Sequence, residues 1–101
     1  MISPTVGRKV WYLPSHQDLN IGTESTPPMT ASGDQPLDAT VVAVWGDRCI
    51  NLVIFDSIGG MYTRRSVTLK QEGDVIPDGQ AYAEWMPYQA AQAKKNDTPS
   101  A

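Results

Sequence analysis

Histidine and cysteine, the side chains that most often carry catalysis and metal binding, occur once each in this chain of 101 residues. The histidine, His16, stands in a polar stretch with no cysteine nearby. A hydrolase triad or a histidine metal site needs a nucleophile partner or further ligands, so His16 reads as a solvated loop residue. Cys49 has no second thiol to pair with, and its apolar neighbours make it a small buried side chain, in keeping with a reducing compartment. Glycines stand singly or as Gly59-Gly60, giving neither a phosphate cradle nor a dinucleotide fingerprint. The acids Asp34, Asp38, Asp47, Asp56, Asp74, Asp78 and Glu84 are scattered, without the alternating oxygen-ligand spacing of a calcium loop, and most read as turn residues. The expectation is no catalytic residue, no metal site and no cofactor; an enzyme is the class these residues favour least.

Two further shortages narrow the partners. Eight Lys and Arg against eleven Asp and Glu give a net charge of -3. The basic footprint of phosphate neutralisation is missing, which disfavours nucleic acid as a partner. Long apolar runs are missing too. No stretch approaches the roughly 20 residues of a membrane span, and Arg8 with Lys9 interrupts Met1–Leu13 where a signal peptide would need an unbroken apolar segment. The expectation is a cytoplasmic protein without a membrane partner.

What the chain does have is a hydrophobic share of 41%, enough for one core in a single small domain, with folding removing roughly two thirds of the unfolded surface from water. Strand-forming segments recur at Val6–Leu13, Ala39–Trp45, Cys49–Phe55, Met61–Leu69 and Ala81–Trp85, rich in β-branched and aromatic residues and separated by Pro- and Gly-bearing turns. Residues 14–38 form a long loop without periodicity, including Pro27, Pro28, Gly33 and Pro36; a connection of this length is either a binding loop or a tolerated insertion. Ala39–Trp45 and Cys49–Phe55 are apolar at nearly every position, so both their faces need cover, which a closed or strongly curved sheet provides. The reading is mainly β: a five-stranded SH3-like barrel over residues 1–88, with a short helical or disordered tail over 89–101, where Tyr88–Lys95 permits about two turns of helix.

The aromatic residues are the most informative chemistry. Trp45 and Phe55 are expected in the core. Trp11, Tyr12, Tyr62, Trp85 and Tyr88 are the candidate binding aromatics, with core packing an equal alternative for most of them. Arg64 and Arg65 adjoin on one strand and must face opposite ways, so the outward one could grip an anion; the alternative is that they solubilise the strand or pair with Glu72 or Glu84.

The segments SPTVGRKVWY, AVWGDRCINLVIFD, RRSVTL and AEWMPYQAAQAKK, in this order and spacing, resemble a family of small proteins encoded by tailed phages and prophages. The resemblance covers most of the chain outside Ser15–Gln35. It implies a phage origin and expression in the bacterial cytoplasm, and it carries over no activity and no functional residue.

The leading expectation is therefore a non-catalytic binding protein that engages a host or phage protein, in a counter-defence or host-takeover role. Two alternatives stand beside it. One is a minor virion or assembly component whose barrel edge pairs with neighbouring copies, which would also make a homo-oligomer. The other is a protein that sequesters a small anionic ligand or nucleotide through Arg64 or Arg65 and a stacking Tyr62 or Trp85.

Overall fold

Isoleucine, leucine and valine alternate through Cys49–Phe55, and this pattern makes a strand with one buried face: Ile50, Leu52 and Ile54 are fully buried, while the residues between them are half-exposed. A computed structural model describes residues 1–22, 27–89 and 91–92. In chain order the elements are β1 (Lys9–Leu13), α1 (His16–Asn20), β2 (Leu37–Gly46), β3 (Cys49–Phe55), β4 (Met61–Lys70) and β5 (Tyr82–Glu84). The strands close into a barrel in the order β1-β2-β3-β4-β5. Neighbours in sequence pair antiparallel from β1 to β4, β5 lies antiparallel to β1, and a short parallel ladder joins β4 to β5. This is the small SH3-like barrel expected.

Val10, Tyr12, Leu37, Ala39, Val41, Leu69 and Ala83 complete the barrel interior around the β3 residues. Several expectations need correction. First, β2 and β3 do not bury both faces. One face of each lines the interior, and the outward residues remain partly or fully exposed. Second, neither Trp45 nor Phe55 belongs to the core. Trp45 is 68% exposed, and Phe55 is a half-buried outward residue whose ring lies 5.4 Å from Lys9 Nζ. Cys49, likewise, is half-buried rather than buried.

Third, the stretch after β1 is not structureless. Ser15 caps α1: its hydroxyl accepts from Asp18 N at 3.1 Å, and the Asp18 carboxylate returns a bond to Ser15 N at 3.0 Å. Further along, Met29 is buried in the core, and its backbone N–H donates to the Asp18 carbonyl at 2.7 Å. Residues 87–89 and 91–92 take helical backbone, so the tail helix begins at Pro87, whose fixed φ suits the first turn. The rest of the helix expected to Lys95 lies outside the described residues.

Candidate functional site

The aromatic residues expected to bind divide sharply. Tyr12, Tyr62 and Trp85 are buried at 2%, 7% and 8% exposure, so as core side chains they are not surface anchors; Trp11 is half-buried, and Tyr88 is exposed beyond β5. Their polar tips explain the burial of the tyrosines. The Tyr12 hydroxyl donates to Asp18 Oδ2 at 2.5 Å, and the Tyr62 hydroxyl lies 3.1 Å from both Asp56 Oδ2 and the Pro28 carbonyl oxygen.

Those two aspartates fasten the long connection across the barrel. Asp18 Oδ1 accepts from Arg64 Nη2 at 3.1 Å and Nε at 3.3 Å, so α1 is clamped to β1 and β4 at once. Burial pushes the Asp18 carboxyl up, yet the Tyr12 hydroxyl, the Ser15 N–H and the Arg64 guanidinium together hold it below its ordinary value. Asp56 follows β3 and accepts from Gly60 N at 2.7 Å, Ile58 N at 3.2 Å and Thr30 N at 3.0 Å. Burial raises its carboxyl as well, and these N–H groups with the Tyr62 hydroxyl outweigh that and lower it. The connection expected either to bind or to hang free is, on both sides of residues 23–26, tied down by these bonds. The tie also removes Arg64 from the candidate surface, because its charge is committed to Asp18. Arg65 is the outward, exposed member of the pair.

A different surface emerges on the outside of β2, β3 and β4. Opposite Leu52 and Asn51, β2 places Val41 and Ala43, so Val42 is an extra residue bulged out of the ladder. Trp45 is bulged in the same way between Val44 and Gly46, which face Ile50 and Cys49. On β4, Arg64 faces Leu52 and Val67 faces Ile50, leaving the two residues Arg65 and Ser66 opposite the single Asn51. A bulge re-aims the side chain it displaces. Here the displaced residues are Val42, Trp45, Arg65 and Ser66, all exposed.

Asn51 joins the bulges. Its Oδ1 accepts Trp45 Nε1 at 2.9 Å and the backbone N–H of Ser66 at 2.9 Å. Ser66 has φ of +52°, the one described non-glycine residue in the left-handed region, where a Cβ crowds the backbone. Local strain, three bulges and a large exposed indole thus meet around one amide side chain. The polar edge of the indole is held by Asn51, and Val42, exposed and bulged opposite Asn51, extends its apolar surface along β2; Val44, opposite the buried Ile50, lies on the inner side of the sheet near its end. An amphipathic aromatic oriented by a hydrogen bond and presented to solvent has the chemistry of an interface anchor. The sequence signal for it was Asn51 itself, an amide interrupting the otherwise apolar CINLVIF.

Elsewhere, Gln71 is buried and ties two chain segments together. Its Nε2 donates to the carbonyls of Ile2 and Asp47, and its Oε1 accepts from Ile2 N at 3.1 Å. Lys70, Ile76, Gln80 and Tyr82 line an open hollow of about 400 Å³ beside the β4–β5 connection. Among the described residues no group of three or more His, Cys, Asp or Glu is placed to hold a metal ion, and no helix is long and apolar enough to cross a membrane. No family model, curated protein or solved structure matches the chain.

Proposed function

We propose that the chain is a non-catalytic protein-binding module and that Trp45 is its anchor. The observation that supports this is the fixed exposure of Trp45, 68% open to solvent while its indole N–H is held by Asn51. A hydrophobic side chain already ordered before binding loses little conformational freedom when a partner covers it. The resemblance to phage and prophage proteins supports a setting for the reading: a phage-encoded protein acting in the bacterial cytoplasm on a host protein.

The two other readings draw less support from these residues, although Arg65 stays open to an anion. A virion or assembly role was motivated by a free barrel edge, but the strand order closes on itself. Sequestration of a small anion was motivated by Arg64 or Arg65 beside Tyr62 or Trp85, and Arg64 is paired while both aromatics are buried.

The test is affinity capture from host lysate, before and after infection, with the tagged protein and its Trp45→Ala variant side by side. A host protein recovered in near-equal amount by the native chain and lost with the variant is the expected result. Equal recovery by both, recovery of phage structural proteins alone, or recovery of nothing overturns the reading.

A further inference from the structure

The Trp45 face carries unused polar groups of one kind. Asn51 uses its carbonyl oxygen for Trp45 Nε1 and Ser66 N, and its amide N–H groups have no protein acceptor among the described residues. Arg65, bulged out of β4 directly opposite Asn51, is exposed, and its guanidinium is in no ion pair among the described residues. Other cations differ, since Arg48 grips Asp74 at 2.8 Å and Lys9 lies 3.2 Å from Asp38; Arg8 is exposed and outside these ion pairs too, but it precedes β1 and is not part of the bulge cluster. The face therefore offers an apolar shelf of Val42 and Trp45, with a guanidinium and amide donors that are unpaired among the described residues at its side.

These donors are open to water when the face is free, and a carboxylate is the group that matches a planar guanidinium and an amide N–H together. The net charge of -3 repels acidic segments from the molecule as a whole, so Arg65, unneutralised and opposite the Asn51 that holds Trp45, marks where one can land beside an apolar anchor. Resting on the protein-binding reading above, we infer that this face recognises an acidic-apolar peptide segment of the partner: an apolar side chain lies on Trp45 while the adjacent carboxylate is held by Arg65 and Asn51. The occupant is a segment of another protein and not a second copy of this chain.

Calorimetric titration with three synthetic peptides, in which Leu and Phe are flanked by Glu, by Gln or by Lys, tests this directly. The Glu peptide binds best, added salt weakens it, and Arg65→Glu lowers its affinity roughly tenfold or more while improving the Lys peptide. Trp45→Ala abolishes binding of all three. Equal affinity for the Glu and Gln peptides, or no effect of Arg65→Glu, overturns the acidic preference; the anchor reading then stands or falls separately on Trp45→Ala. Failure of all three peptides to bind overturns the inference. Sedimentation of the full chain guards against self-occupancy: concentration-dependent dimers that vanish in Trp45→Ala assign the face to a second copy and overturn it too.

Discussion

Asp18 and Arg64, 46 residues apart, meet at 3.1 Å where α1 crosses the barrel, with side chains only 10% and 19% exposed. A pair this sheltered is costly to break from one side, because the remaining charge stays in a poorly solvated place. Asp18→Asn keeps the shape of the side chain and removes its charge, leaving Arg64 uncompensated and weakening the bond from Tyr12. The expected loss is about 2 kcal/mol, read from urea unfolding. Arg64→Met added to Asp18→Asn costs clearly less than the two single changes summed, and strict additivity would show that the ion pair does not hold the helix.

Acid unfolding follows from the same clamp. Asp18 and Asp56 both have carboxyls below their ordinary 3.8 in the fold. The unfolded chain therefore takes up their protons first as pH falls, and the stability they contribute is present above 3.8 and lost as pH drops through it toward the lower folded values. Tyr12 works at the other end. Burial first, and then the Asp18 carboxylate, hold its hydroxyl well above the ordinary 10.0, so its contribution is intact below pH 10 and fades as pH rises beyond it. Urea midpoints are expected to stay level from neutral pH to about pH 5 and to fall below about pH 4. Asp18→Asn with Asp56→Asn makes the acid side shallower, leaving Asp74, also lowered by its bond to Arg48, and Tyr12→Phe makes the alkaline side shallower, leaving Tyr62, also raised by burial and Asp56.

Gly60 tests the second tie. A Cβ at this position would lie 3.1 Å from both carboxylate oxygens of Asp56, which are fixed by N–H groups from three residues and by the Tyr62 hydroxyl. Gly60→Ala must push that carboxylate aside and is expected to cost about 1 kcal/mol or more. Gly59→Ala, at φ of +86° with open space around the new methyl, costs a similar amount through backbone strain alone. Hydrogen exchange separates them. Gly60→Ala speeds exchange at Thr30 and Ser57, whose N–H groups belong to the tie, and Gly59→Ala leaves Thr30 protected.

The strands were legible in the sequence because each relies on local β-branched and apolar content; Cys49–Phe55 agrees with β3 end to end, and the meander order follows from the short turns. The outward side of β2 was not legible. Each bulge inserts a residue and shifts the period-two phase, so the run ATVVAVW looks continuously buried although the bulged Val42 and Trp45 face solvent. Asp18 was missed for a different reason. Its importance comes from Arg64 and Tyr12, which are distant in sequence or hidden in a strand, whereas the local Ser15-His16-Gln17-Asp18 context was submerged in a polar stretch.

The bulge cluster makes the last prediction, in which three substitutions around one amide have three different outcomes. Trp45→Ala removes an exposed side chain whose main bond is to Asn51, so it shifts stability by no more than about 0.5 kcal/mol, far from the roughly 3–5 kcal/mol of deleting a core indole. It also removes the most solvent-exposed indole, and the emission maximum moves to shorter wavelength as the buried Trp85 gains weight. Ser66→Gly relieves the left-handed backbone while keeping the N–H that bonds Asn51, and is expected to stabilise by about 0.5 kcal/mol. Asn51→Ala takes away the acceptor shared by Trp45 and Ser66, leaving the strained turn unsupported, and is expected to destabilise by about 1 kcal/mol. In the Ser66→Gly background the Asn51→Ala cost shrinks, because a glycine holds that conformation without help. A Trp45→Ala variant that unfolds at much lower urea than the native chain would place the indole in the core after all and remove the anchor on which the binding surface depends.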